Sequence, residues 1–131
     1  MLAPLVRDMI AAELPVLEAN GVSMWGYSVL VALDRAAIRT QAALAEAIGA
    51  DKTRIIAILD ELQDKGLIVR VPDPEDRRAR ILEITKDGRR VKETVQAAIQ
   101  RGEERWLSKL SAADRAAFLR ILQELSGVDW S

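Results

Sequence analysis

The side chains best suited to chemistry in this chain are basic and lie close together. Residues 77–92 hold seven bases and two acids, a local net charge of +5 in a chain whose total is −1. A basic patch on an otherwise acidic protein attracts phosphate groups. The bases are Arg77, Arg78, Arg80, Lys86, Arg89, Arg90 and Lys92. The last four either contact phosphates or form the solvated start of a helix, and the sequence leaves both readings open.

A second set of candidate contacts lies at the start of a helix predicted for residues 51–65. Its apolar positions form one stripe, which leaves the side chains between them facing outward. A hydroxyl can bond to bases or phosphates, a guanidinium can fork onto guanine, and an aliphatic side chain can meet a thymine methyl group. The outward or flanking residues predicted to contact DNA are Lys52, Thr53, Arg54, Ile56 and Ala57. The alternative is an ordinary exposed helix start.

A charged turn at Asp76, Arg77 and Arg78 supplies the third set. An arginine on a projecting loop can enter the narrow, negative minor groove of DNA. A carboxylate two residues earlier can orient that guanidinium. The alternative is a solvated charged turn with no ligand.

Two absences from the composition restrict the chemistry further. The chain has no cysteine and no histidine. Disulfides, thiol redox sensing, cysteine-based zinc sites and histidine acid–base catalysis are therefore excluded. We predict no catalytic residue, no metal site and no cofactor. No apolar run reaches the roughly 18–20 residues of a membrane span, and no secretory signal is apparent, so the expected location is the cytoplasm.

The elements that position these residues follow from apolar spacing and capping residues. Helices are predicted over 4–19, 23–34, 40–48, 51–65 and 86–110, with a sixth opening at Ser111. Pro15 is expected to kink or break the first helix. Strands are predicted over 67–71 and 80–84, around a proline-rich loop at 72–76 that can be neither helix nor strand. In the sixth helix the residues expected to face inward are Phe118, Ile121, Leu122 and Leu125.

This order of elements predicts a fold that is mainly α with a small β-hairpin wing. We expect one domain over residues 1–131, with a winged helix-turn-helix at 23–85. Residues 1–20 and 86–131 form helices with apolar stripes too long for so small a domain to cover. They are therefore predicted to be a dimerisation region that pairs with a second copy about a two-fold axis. A homodimer of this kind would bind palindromic duplex DNA, with the helix 51–65 in the major groove and the wing 72–80 in the minor groove.

Four short motifs in this order resemble the MarR family of winged helix-turn-helix transcriptional regulators. They are LAEAIG at 44–49, LQDKGLI at 62–68, DPEDRR at 73–78 and LEITKDG at 82–88. The resemblance implies a dimeric regulator, mostly a repressor in this family, that is often released from DNA by a small aromatic or phenolic ligand. It also implies that Arg78 enters the minor groove, with Asp76 as its salt-bridge partner and Arg77 as a second candidate.

The resemblance further implies a ligand pocket between the dimerisation helices and the winged domain. Residues that could line it are Met9, Met24, Trp25 and Trp106. The alternative is that these side chains are plain core. The chain departs from the family at Arg54, Ile56 and Ala57, where many relatives have small hydroxyl residues and an outward arginine, so no operator can be inferred. The competing functions are a winged-helix protein-interaction module without DNA binding and, more remotely, a small enzyme.

Overall fold

The computed structural model describes residues 1–127 and contains six helices and one β-hairpin within them. The predicted dimerisation region therefore ends outside the described residues, at 128–131. The helices are α1 (Ala3–Ala19), α2 (Met24–Arg35), α3 (Gln41–Ile48), α4 (Lys52–Asp64), α5 (Lys86–Leu107) and α6 (Ala112–Ser126). The strands are β1 (Ile68–Pro72) and β2 (Arg80–Ile84). The predicted fold class is confirmed.

Five of the six helices begin at a side-chain cap that the sequence predicted. The caps are Ser23, Thr40, Asp51, Thr85 and Ser111. Each accepts a hydrogen bond from the backbone N–H three residues later, at distances between 2.7 and 3.1 Å. These bonds satisfy N–H groups that have no partner inside the helix. The caps therefore fix where the helices start.

The hairpin packs on the helix-turn-helix through more than its own two strands. The strands β1 and β2 are antiparallel, with Ile68 opposite Ile84 and Pro72 opposite Arg80. Ile38, in the segment between α2 and α3, adds an isolated bridge to Leu82. Its N–H donates to the Leu82 carbonyl at 3.1 Å, and the Leu82 N–H donates back at 2.7 Å. The sequence did not reveal this bridge, because a single extended residue leaves no periodic pattern.

The core lies between α2, α3, α4 and the hairpin, with one anchor from each long flanking helix. Side chains of the winged region that are less than 2% exposed are Val29, Leu30, Leu44, Ile55, Leu59, Ile68 and Leu82. Leu17 of α1 and Val95 of α5 join the same cluster. The flanking helices therefore join the core through Leu17 and Val95, with Val16, Val91 and Ile99 packed against the same cluster.

The structure departs from three expectations about these elements. α1 was expected to kink or break at Pro15, and it does not break: the helix runs from Ala3 to Ala19. A proline costs one helical hydrogen bond, which a 17-residue helix held to the core by Leu17 tolerates. Pro72 is the last residue of β1, at the open end of the ladder, where a missing N–H matters little. The predicted fifth helix also ends earlier, at Leu107.

The expected inward face of α6 is also wrong for the single chain. Phe118 is 41% exposed, Ile121 45% and Leu125 79%, and α6 buries no residue. The predicted face is therefore apolar but lacks a partner surface within one copy.

No single helix of residues 1–127 has both the length and the apolar character to cross a membrane. Only α1 and α2 taken together, bent by 79° where they meet, satisfy that test, and they do so by length and composition alone.

Candidate nucleic-acid interface

The first turns of α4 present the predicted contact residues to solvent. Ile55, Ile58, Leu59 and Leu62 are buried on one side of the helix. The opposite side exposes all five predicted contacts: Lys52, Thr53, Arg54, Ile56 and Ala57. The Asp51 carboxylate accepts the Arg54 N–H at 2.7 Å, which fixes the first turn. An apolar side chain such as Ile56, 51% exposed beside these polar groups, is available for a thymine methyl group.

Arg54 lies against an aromatic ring that the sequence assigned to a different site. Its guanidinium carbon is 5.6 Å from the centre of the Trp25 ring, within the range of a cation–π contact. Trp25 is half-buried at the start of α2 and packs against the core. The structure therefore joins a predicted DNA contact to a predicted pocket residue. Sequence reasoning had no signal for this pair, because the two residues are far apart in the chain.

The wing turn is built differently from the expectation. Asp76, Arg77 and Arg78 are all exposed. The Asp76 carboxylate accepts the backbone N–H of Arg78 at 3.0 Å, the usual bond of an aspartate at the start of a turn. Within residues 1–127, neither arginine has a carboxylate oxygen within 4.0 Å. The predicted Asp76–Arg78 salt bridge is therefore absent from this chain, and both guanidinium groups remain available.

The base of the wing is fastened by residues that sequence reasoning missed. Asp73 is 4% exposed and is the one buried charged residue of the described chain. Its Oδ1 accepts the Glu75 N–H at 2.9 Å. Nη1 of Arg39, which precedes α3, lies 3.6 Å from Asp73 Oδ2 and 3.4 Å from Glu75 Oε2. These contacts tie the wing to the helix-turn-helix, and a buried aspartate followed by proline gives little advance sign of such a role.

Most of the basic residues at the start of α5 are engaged inside the chain. Arg89 Nε and Lys92 Nζ each lie 2.9 Å from the Asp34 carboxylate, and Arg90 lies 3.3 Å from Asp87. Hydrogen bonds from Lys92 and Arg89 lower the pKa of Asp34 below its usual 3.8. Arg89 and Lys92 therefore pair with Asp34 inside the chain, an arrangement that neither reading of the sequence anticipated. The local charge left for a ligand comes mainly from Arg77, Arg78, Arg80 and Lys86.

Met24 is the one predicted pocket residue that lines the depression between α1, α2 and α4. This open depression of about 510 Å³ lies between the end of α1, the start of α2 and the end of α4. Met24 is among its lining residues, whereas Met9, Trp25 and Trp106 are not. Trp106 is 37% exposed on α5. The assignment of these four residues stays a prediction. No group of three or more potential ligand residues in the part of the chain that the structure describes could hold a metal ion.

An acidic cluster where α1, α2 and α5 meet was also missed. Burial, and next the charge of Glu103, raise the pKa of Glu13 above its usual 4.5. Burial, and next the charges of Glu13 and Glu103, raise the pKa of Tyr27 above 10.0. Like charges at a partly buried site disfavour ionisation. Ionisation of Glu13 is therefore disfavoured where α1, α2 and α5 meet.

Comparison with known proteins gives a consistent set of matches. The family model described as MarR family matches residues 20–79. A putative transcriptional regulatory protein for the hcr operon of Thauera aromatica is 31% identical over 106 residues, covering 81% of this chain and 64% of that protein. The transcriptional regulator HosA of Escherichia coli O111:H- is 30% identical over 103 residues, covering 76% of this chain and 73% of HosA. This chain thus spans less than two thirds of the first relative's length.

Solved structures agree with these matches. The transcriptional repressor CouR bound to a 23-mer DNA duplex has a TM-score of 0.81 and 28% identity, covering 95% of this chain and 89% of CouR. CouR from Rhodococcus jostii RHA1 bound to p-coumaroyl-CoA has a TM-score of 0.76 and 27% identity, covering 99% and 92% of the two chains.

Proposed function

Because the chain belongs to the MarR family of transcriptional regulators, and is a regulator and not an enzyme, we propose that it represses transcription as a homodimer on a palindromic operator. The observation that carries the proposal is the pairing of two exposed elements. The start of α4 and the wing tip both present polar or basic side chains, and the wing arginines have no carboxylate partner among residues 1–127. Such a regulator would act in the cytoplasm.

The charges along α4 support entry of only its first turns into the major groove. Lys52 and Arg54 lie at the start, whereas Asp60, Glu61 and Asp64 follow on the exposed side. Arg70 and Lys65 already pair with Asp60 and Glu61, each at 2.9 Å, so these two bases are not free to attract phosphate to the later turns. Carboxylates repel phosphate, so the acidic end of the helix would stay outside the groove. Arg78 and Arg77 on the wing would then reach the adjacent minor groove.

The homodimer is inferred from apolar side chains that one copy leaves uncovered. They lie on α1 and α6, near the two ends of the chain, and include Leu5, Val6, Ile10, Leu14, Phe118, Ile121 and Leu125. Apolar patches of this extent on a small protein mark an interface. A second copy about a two-fold axis would cover them and set two recognition helices about one DNA turn, roughly 10 bp, apart.

Ligand-controlled release is the finer part of the proposal. CouR, a structural relative, has been crystallised with p-coumaroyl-CoA. A small aromatic or phenolic ligand that favoured a dimer with the wrong helix spacing would lower DNA affinity by linkage. The predicted pocket residues Met9, Met24, Trp25 and Trp106 lie on α1, α2 and α5, which are the elements that connect the dimerisation region to the winged region.

Selection of bound duplexes from a random DNA pool tests the proposed function. We expect a palindrome with half-site centres about 10 bp apart. On that operator, Arg78→Ala should weaken binding about ten- to hundredfold and reduce the salt dependence by about one phosphate contact. Arg35→Ala, at an exposed arginine that ends α2 outside the predicted DNA contacts and the predicted dimerisation region, is the matched control.

The opposite result would favour the alternative function. Recovery of no motif, together with equal weak binding of the Arg78→Ala and wild-type proteins to every duplex, would indicate a winged-helix module that binds protein partners and not DNA.

A further inference from the structure

The contact between Arg54 and Trp25 goes beyond the general docking scheme. We propose that Trp25 is a positioning residue for DNA recognition, whose ring holds the Arg54 guanidinium so that it reads a guanine in each half-site. This inference rests on the proposed function, since it requires that α4 enters the major groove. It adds two points to the proposed docking: Trp25 on α2 supports a residue of α4, and Arg54 selects one guanine in each half-site.

The guanidinium of Arg54 is held without being neutralised. It lies 5.6 Å from the centre of the Trp25 ring. No carboxylate oxygen approaches it within 4.0 Å in residues 1–127. Its backbone N–H is bonded to the Asp51 cap at 2.7 Å, so the root of the side chain is fixed as well. Both ends of the side chain are therefore restrained while its charge stays available.

An aromatic platform suits the geometry that guanine requires. A guanidinium over a ring uses its face for the contact and leaves its N–H groups free at the edge. Guanine O6 and N7 accept two parallel N–H groups in that fork geometry. A side chain that is already ordered loses less rotamer freedom on binding than one that moves freely in solvent. Trp25 would thus raise both affinity and selectivity for guanine.

The other exposed residues at the start of α4 are less suited to reading a base than Arg54 is. Arg54 is therefore the principal base contact of this helix. Ala57 and Ile56 have no hydrogen-bonding group, and Lys52 lacks a fork geometry. Thr53 has a single O–H donor and so cannot donate two parallel hydrogen bonds to guanine. Trp25 itself is held by the core, because it is half-buried at the start of α2 and packs against the buried cluster. A positioning role requires a rigid ring beside the forked donor, and Trp25 supplies that ring for the Arg54 guanidinium on α4.

A double-mutant cycle on the selected operator tests the proposal. We expect Arg54→Ala to weaken binding about tenfold and Trp25→Leu about threefold, as for an exposed cation–π contact. In the Arg54→Ala background, Trp25→Leu should have no further effect. Both single variants should lose the preference for the same guanine in each half-site, and Trp25→Phe should retain it. Additive effects in the double variant, or a base preference unchanged in Trp25→Leu, would overturn the proposal.

A fluorescence measurement keeps the test valid if Trp25→Leu fails to fold. With the other two tryptophans replaced by phenylalanine, Trp25 emission is recorded with and without Arg54→Ala, and again after addition of operator DNA. We expect the emission to change in both comparisons. Identical emission in the presence and absence of Arg54 would refute the contact.

The Arg78→Ala variant separates this inference from the proposed function. If neither Arg78→Ala nor Arg54→Ala changes duplex binding, the DNA-binding function itself is wrong. If Arg78→Ala weakens binding while the Trp25 and Arg54 effects add independently, only the positioning role of Trp25 is wrong.

Discussion

Replacing Gly88 with alanine should disrupt the joint between the wing and the long helix α5. A Cβ at this position would lie 2.0 Å from the Leu67 carbonyl oxygen. It would also lie 2.9 Å from the Leu67 carbonyl carbon and 2.9 Å from Ile84 Cγ1. Contacts of 2.0 Å do not occur between a Cβ and an oxygen, so either the helix or the backbone at Leu67 must shift by about 1 Å.

The backbone at Leu67 cannot move without breaking other bonds. Its carbonyl accepts the Thr85 N–H at 3.0 Å, and its own N–H donates to the Leu62 carbonyl at 2.9 Å. Thr85 Oγ1 donates to the Gly66 carbonyl at 2.7 Å and accepts the Gly88 N–H at 3.0 Å. Overpacking costs about 1–3 kcal/mol and a weakened hydrogen bond about 1 kcal/mol. Alanine recovers about 0.5–1 kcal/mol of helix propensity, which leaves a net loss of about 1–3.5 kcal/mol.

Gly102 supplies a matched control on the same helix. A Cβ there meets no atom within 4 Å, so Gly102→Ala should stabilise the protein by about 0.5–1 kcal/mol. Both variants are compared with wild type by urea unfolding at one fixed protein concentration, because the stability of a dimer depends on concentration. If Gly88→Ala proved as stable as Gly102→Ala, the close packing of α5 against Leu67 and Ile84 would be refuted.

Two further predictions use titratable groups where α5 meets the rest of the chain. Glu13→Gln should raise the melting temperature at pH 7, because burial and Glu103 raise the pKa of Glu13 above 4.5 and so penalise its charged form in the folded state. The gain should vanish as the pH falls to about 4.5 and below, where Glu13 is protonated in both the folded and the unfolded chain. Glu18→Gln is the control. A lower melting temperature of Glu13→Gln at pH 7 would contradict the prediction. Asp34→Asn should cost about 1 kcal/mol at pH 7, since Lys92 and Arg89 lower the pKa of Asp34. That stabilisation exists above pH 3.8 and is lost as the pH falls below it, so an equal difference in unfolding free energy at pH 7 and pH 2.5 would show that the ion pair is not its source.

The local elements were predictable because their signals are local. Thr40, Asp51 and Thr85 each precede an apolar stripe of helical spacing, and each caps the helix it was expected to cap. A cap and its N–H partner are three residues apart, so the sequence contains both members of the interaction. The glycine at Gly66, with φ of +74°, ends the fourth helix for an equally local reason.

The features that were missed depend on contacts between distant parts of the chain. Ile38 pairs with Leu82, and Arg39 reaches Asp73, through the folding of the wing back onto the helix-turn-helix. The exposure of α6 depends on a surface that one chain does not provide. A kink or break was expected at Pro15, but the helix continues to Ala19 and is anchored in the core by Leu17, a contact that the local sequence does not reveal.

In the candidate site, too, the local features were predictable and the contacts between distant residues were not. Which side of α4 would be exposed followed from its apolar stripe, and the structure exposes those residues. The apolar stripe did not reveal which groups those side chains contact. Asp76 was expected to orient the Arg78 guanidinium and instead bonds to the Arg78 backbone. Arg54 was expected to face outward, and the structure adds that its guanidinium lies over Trp25. Pattern predicts which face of an element is exposed, whereas side-chain partners depend on the packing of other elements.

The contacts around α2 bear on how a ligand could control DNA binding. α2 is joined to α4 by Trp25 and Arg54 and to α5 by Asp34 with Arg89 and Lys92. The start of α5 also packs closely against the base of the hairpin, where Gly88 meets Leu67 and Ile84. The winged region and the first half of α5 should therefore move as one body. In the proposed homodimer, a ligand would then change the spacing of the two recognition helices by rotating one copy against the other, without loosening either winged region. Ion pairs within each copy should consequently persist in the released state, while the exposed apolar faces of α1 and α6 change their contacts.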